Sequence, residues 1–194
     1  RAHCRKKKGS KIEPDSLPEP KAWLDSITAD HKILNEEDES RSHDRVALIV
    51  MDRFTKWMQS YPAPTKEAKE VVRDLQRFVG PQAKPQHVYT DNAQEFIAAL
   101  QELNWPHDTS TPHRSETNGV VERSVRVVKE GTSCAMLQSG LLEKWWSEAM
   151  TCFMFLRNVS TILDCGQTAY RRRFSTDFKG PLIPFGAEVS YLPI

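Results

Sequence analysis

The chain has 194 residues, 39% of them hydrophobic, with 27 basic and 26 acidic side chains and a formal net charge of +1. That length suits one domain of ordinary size with a real core. The near balance of charge excludes a globally basic nucleic-acid binder, so any contact with a polyanion must come from local patches.

No apolar run reaches membrane-spanning length, and no signal peptide is visible. The cysteines Cys4, Cys134, Cys152 and Cys165 form no C-x-x-C pair. They read as reduced thiols of an intracellular protein. The chain starts on Arg1, not Met, and reads as a piece of something longer.

Residues 1–21 are polar and basic, with Pro14, Pro18 and Pro20, and read as linker. Two basic runs stand out: Arg1, Arg5, Lys6, Lys7, Lys8 and Lys11, and then Arg171, Arg172 and Arg173. Such runs are usually solvated. Residues 23–34 alternate, with Trp23, Ile27, Ala29 and Ile33 on one face and Thr28, Asp30 and Lys32 on the other, which predicts a half-buried strand. Residues 35–44 read as a charged loop. The apolar run 46–51 predicts a strand covered on both faces, and 54–61 a third strand completing an antiparallel meander.

Pro62 breaks the pattern, and Thr65 is the expected N-cap of a helix carrying Ala68, Val71, Val72, Leu75 and Phe78 up to Gly80. Residues 87–90 predict a short strand parallel to the first, reached through that helix. Residues 94–103 predict a helix, and 108–111 an edge strand. Pro112, Asn118 and Gly119 read as loop and boundary residues before a helix over about 119–137. Val121, Val125 and Val128 form its apolar stripe, and Glu122, Arg126 and Lys129 a polar one. This reading sets Glu122 in the first turn, where the helix dipole favours an ionised carboxylate. Residues 141–158 predict a buried helix. Residues 159–194 read as irregular, with a strand over 187–192. The expected domains are 1–21 linker, 22–160 core and 161–194 post-core extension.

A strand ending in Thr-Asp-Asn at 90–92, followed by Asn-Gly-Val-Val-Glu on a helix at 118–122, resembles the catalytic core of retroviral and LTR-retrotransposon integrases, pieces of Pol polyproteins. The resemblance runs from about Trp23 to Asn158. It implies an α/β, RNase H-like fold with a five-stranded mixed sheet flanked by helices. It further implies a Mg²⁺-dependent polynucleotidyl transferase that processes DNA 3′-ends and joins them to target DNA. Asp91 and Glu122 match the second and third family acids, at a slightly shorter interval than retroviral cores usually have. For the first acid the candidates are Asp25, Asp30, Asp44 and Asp52, of which Asp30, midway along the first strand, is chosen. The expected catalytic and metal-binding set is therefore Asp30, Asp91 and Glu122. The expected DNA-binding set is Asn118, Gly119, Arg126 and Lys129.

The resemblance also implies two Mg²⁺ ions, which Mn²⁺ can replace, DNA partners at the element ends and in the target, and a homo-oligomer. It implies action in the nucleus after a cytoplasmic assembly stage. His3 and Cys4 resemble the tail of the family's zinc module, but too few ligands are present for a closed site, so no zinc is expected. Residues 168–174 resemble a Thr-Pro-Tyr-Glu-x-x-Phe segment, with Ala169 and Arg171 departing from it. Those departures, with the incomplete zinc module, motivate an alternative: an inactive or domesticated fragment that binds DNA or protein. A nuclease on the same fold is a third reading, opposed by the 118–122 helix motif.

Overall fold

The computed structural model describes residues 19–33, 39–109 and 115–190, with the side chains of 115–122 outside the description. Within that range the chain forms five strands: β1 (Ile27–Ile33), β2 (Val46–Asp52), β3 (Met58–Ala63), β4 (Val88–Thr90) and β5 (His107–Thr109). Its helices are α1 (Ala68–Val79), α2 (Gln94–Leu103), α3 (Ser115–Ser139), α4 (Trp146–Ser160) and α5 (Ala169–Phe174). The sheet order is β3-β2-β1-β4-β5. The first two pairings are antiparallel and the last two parallel. This is the five-stranded mixed sheet of the RNase H-like expectation.

Strand parity divides the core. Leu48 and Val50 face one side, with Ile27, Ala29, Val71, Leu75, Phe78, Phe96 and Leu100. Ala47, Ile49 and Met51 face the other, with Val128, Met150 and Met154. Every residue of β2 is therefore buried, and its continuous apolar run has a simple cause: helices cover both faces. Ala169 joins the first cluster, so α5 packs on the α1 and α2 side.

Several elements differ from the sequence reading. β1 starts at Ile27, because Asp25 Oδ2 accepts from Lys21 N (2.7 Å) and Ala22 N (2.8 Å) and holds the preceding stretch as a turn. β3 starts only at Met58. The buried Asp52 carboxylate accepts from Thr55 N (2.7 Å), Thr55 Oγ1 (2.6 Å) and Leu24 N (2.9 Å), so the intervening residues fold as a turn around it. The N-cap of α1 is Glu67, not Thr65, whereas Gly80 closes that helix with φ +100°, as expected. Residues 187–190 are not a strand, and residues 191–194 lie outside the described range. Cys134, Cys152 and Cys165 are free, and Cys4 lies outside the described residues.

Pro62, read as a strand breaker, lies inside β3. Trp57 O and Ala63 O accept from the β2 side. By alternation, the backbone groups of Met58, Ser60 and Pro62 point to the open edge, where a missing N–H costs no ladder bond. At Met58 that edge is sealed. The Asn158 amide accepts from Met58 N (3.1 Å) and donates to Met58 O (2.6 Å), standing in for a neighbouring strand. Asn158 is 1% exposed. Asn158→Ala leaves both Met58 groups unpaired and should lower stability by about 2–4 kcal/mol. Urea unfolding of the two proteins measures it; a loss well under 1 kcal/mol would show that the seal is dispensable.

Candidate active site

β1 and β4 run parallel, with Ile27 beside Val88 and Thr28 beside Tyr89. Asp30 follows Thr28 by two residues on β1, and Asp91 follows Tyr89 by two, just past the end of β4. The face of Asp30 follows from its partner. Asp30 is paired across β2 with Ile49, and Ile49 packs with Val128 of α3. Ser124 Oγ meets Met51 Sδ at 3.4 Å, and Met51 is the β2 partner of Thr28. Thus α3 crosses the face that carries Asp30, with Glu122 two residues before Ser124 on the same helix.

The rival first acids are engaged elsewhere. Asp25 holds its turn and accepts from Gln86 Nε2 (2.9 Å). Asp44 is buried against the Ser40 hydroxyl (2.8 Å). Asp52 is fully buried. Asp30 is half-buried, with Oδ1 accepting from His31 N (2.8 Å). Asp91 is exposed at the C-terminal end of β4, where Oδ1 accepts from Ala93 N (3.2 Å). The C-terminal ends of parallel strands are where α/β sheets present their ligand sites.

One expectation about Glu122 changes. α3 begins at Ser115, so Asn118 and Gly119 are helical, and Glu122 lies about two turns inside the helix. The helix-terminus argument for its ionisation therefore fails, since that field fades within the first turn. The side chains of Asn118, Gly119 and Glu122 lie outside the described residues. Arg126 and Lys129 are exposed on α3. Among the described residues no group of three His, Cys, Asp or Glu side chains is gathered for a metal ion. Asp30 on β1 and Asp91 just after β4 do supply hard oxygen donors, the donor chemistry that Mg²⁺ takes.

The structure adds supports that the sequence reading missed. The Thr90 hydroxyl donates to Asp91 O (2.7 Å) and lies 2.8 Å from His107 Nε2. Its one proton is committed to the carbonyl, so Nε2 of His107 is the donor. On the opposite face from Asp30, His31 stacks on Phe96 at 4.7 Å. Its Nδ1 is 4.0 Å from Glu95 Oε1, and Glu95 pairs with Lys66 at 3.1 Å. Burial lowers the pKa of His31, while Glu95 and Asp91 pull it up. The available signal was parity: His31 falls in phase with the apolar Ile27 and Ala29.

No family model matches the chain. The chain is 32% identical over 101 residues to the Gag-Pol polyprotein of feline leukemia virus, which covers 48% of this chain and 6% of that protein. It is 29% identical over 125 residues to the retrovirus-related Pol polyprotein from transposon RE1 of Arabidopsis thaliana, 60% of this chain and 8% of the relative. It therefore spans less than a tenth of either. Among solved structures, the simian T-cell lymphotropic virus intasome in complex with the PP2A regulatory subunit B56 gamma superposes with a TM-score of 0.65 at 18% identity, covering 88% of this chain and 60% of that one. The HTLV-2 integrase catalytic core in complex with magnesium, in a trimeric form, gives 0.61 at 16% identity, covering 78% and 97%. By fold, then, the chain shares the RNase H-like architecture of the retroviral integrase catalytic cores. By sequence it is similar to short stretches of retroviral and retrotransposon Pol polyproteins.

Burial holds the pKa of His107 below its ordinary 6.5, with Asp108 opposing and His87 adding to the shift. The unfolded chain therefore takes up the proton first as pH falls. The stability tied to a neutral His107 is complete above about pH 6.5 and is lost as pH drops toward the lowered value. Urea midpoints measured from about pH 8 down to pH 5.5 should decline less steeply in His107→Gln than in the parent. Parallel slopes would contradict this assignment.

Proposed function

We propose that this chain is a retrotransposon-type integrase core that processes DNA 3′-ends and transfers the strand into target DNA. The observation that supports the reading is the parallel β1–β4 pairing, with Asp30 on the face crossed by α3 and Asp91 just past the end of β4. Support also comes from the fold shared with an integrase core solved with magnesium and with an intasome.

In this reading Asp30, Asp91 and Glu122 are the metal-binding carboxylates. Two Mg²⁺ ions, for which Mn²⁺ substitutes, would supply the charge that activates the attacking oxygen and stabilises the leaving 3′-oxygen. Arg126 and Lys129 bind phosphates and position the duplex, with Asn118 and Gly119 near the DNA end. In the first step water attacks a phosphodiester near the end of the element and leaves a recessed 3′-hydroxyl. That hydroxyl then attacks a target phosphodiester, forming the new bond and releasing a target 3′-hydroxyl. Holding both reactants in line lowers the barrier by removing the entropic cost of their encounter. The functional unit is a homo-oligomer acting on chromosomal DNA in the nucleus, after assembly in the cytoplasm.

The test is metal-dependent joining of a branched strand-transfer intermediate. Asp30→Asn, Asp91→Asn and Glu122→Gln should each reduce joining on the order of 10³-fold, equivalent to about 4 kcal/mol of transition-state stabilisation. Removing the divalent metal should abolish it. A folded parent that joins nothing would favour the inactive, DNA- or protein-binding fragment. Joining that survives all three substitutions would refute the triad.

A further inference from the structure

The second basic run finds a structural setting near the start of β1, beside the turn after β2. Asp52, which pairs with Ile27, opens the turn that carries Arg53, Phe54 and Lys56. Lys56 sits in the left-handed region at φ +61°, an uncommon conformation for a side chain with a Cβ. Arg157 of α4 donates from Nη1 to Lys56 O (3.1 Å). Arg172 of α5 lies over the Phe54 ring at 4.6 Å, with Nη1 3.7 Å from Cys165 Sγ. Four cations from three elements thus converge on one turn.

Carboxylates do not balance them. The nearby Asp52 is fully buried, and its oxygens already accept from Leu24 and Thr55. Asp177 is spent on Arg171 at 2.7 Å. Among the described residues Lys56 and Arg172 make no ion pair. Burial lowers the pKa of Lys56, and Arg53, Arg172 and Arg157 lower it further, with Asp52 opposing them. Beside the cluster opens a cavity of about 290 Å³, lined by Phe54, Gln167, Arg171, Arg172 and Ser175. It presents two guanidinium groups, an amide and a hydroxyl, all of them able to donate to phosphate oxygens.

We propose that the β2–β3 turn and α5, through Lys56, Arg172 and the adjoining cavity, form a binding site for the phosphodiester backbone of duplex DNA, separate from the carboxylates. The proposal rests on the integrase-core reading for its choice of DNA as the anion. A polyanion there relieves the mutual repulsion of the cations and fixes the register of the DNA without reading its bases.

Binding of a fluorescently labelled duplex is measured by anisotropy across a salt series for the parent, Lys56→Gln and Lys56→Gln/Arg172→Gln. Thermal unfolding checks each variant, and Arg172→Lys serves as a charge-conserving control. Loss of two phosphate contacts should weaken binding about tenfold at 0.1 M salt and flatten the log–log salt slope by roughly 2. Lys56→Gln should give about half of that slope change, and Arg172→Lys should restore most of it. Unchanged affinity and slope in folded variants overturn the site. Stabilisation by inorganic phosphate without any change in duplex binding also overturns it, in favour of a small-anion site. Joining of branched DNA is assayed on the same preparations. A parent that joins DNA while its variants bind as tightly keeps the integrase reading and loses this site. A parent that joins nothing, but whose salt slope flattens in the double variant, keeps the site and loses the activity.

Discussion

The structure depends on the parallel pairing of β1 with β4 in the middle of the sheet. Two short stretches, some sixty residues apart in the chain, lie side by side there with a register that leaves no freedom in which side chains are neighbours. Because strand side chains alternate, a slip of one residue would turn Asp30 into the first hydrophobic cluster and bring His31 to the α3 face. The buried alternation of Ile27, Ala29 and Val88 against α1 and α2 prevents that slip. Packing on one face thereby sets the chemistry available on the other.

Around this pairing the polar groups are placed as fasteners. Asp52 ties the approach to β1 to the turn after β2. Asn158 closes the outer edge of β3 from α4. Thr90 and His107 join the backbone of Asp91 to the far edge strand β5. Each has at least one partner distant in sequence, and satisfied polar groups of this kind specify one arrangement of elements more sharply than apolar burial does. The post-core segment takes part in the same logic. Arg173 lies over the Trp23 ring at 4.0 Å and the Trp57 ring at 4.7 Å, holding α5 on the sheet by stacking and cation–π attraction.

Much of the fold was legible because its signals are local. The apolar run of β2, the periodicity of α1 and α2 and the closing Gly80 each sit within one element, and there the reading agrees with the structure. The place of Asp91 directly after a short strand was legible too, since a strand followed by an acid is a short pattern. The errors cluster where distant partners decide. Pro62 signals a break, yet an edge strand tolerates it. Thr65 has the chemistry of an N-cap, yet α1 starts beyond it. Asn118 and Gly119 carry loop propensity, yet α3 absorbs them, because tertiary context overrides weak local preference.

The sequence by itself determined the order of the elements, the two-sided burial of β2, and the acids and cations available, because period, turn chemistry and residue type act over a few neighbours. Only the tertiary structure decided how each carboxylate is engaged. Asp25, Asp30, Asp44 and Asp52 are chemically equivalent in the sequence. They part company when Asp25 caps a turn, Asp44 pairs with Ser40 and Asp52 is buried beneath Leu24 and Thr55, while Asp30 stays half-buried on the face crossed by α3. The same holds for the basic run at 171–173. Its charges are plain in the sequence, but their division into a stacked Arg173, a paired Arg171 and an Arg172 beside Lys56 follows from where α5 docks. Docking depends on surfaces made by distant parts of the chain, and no local pattern encodes it.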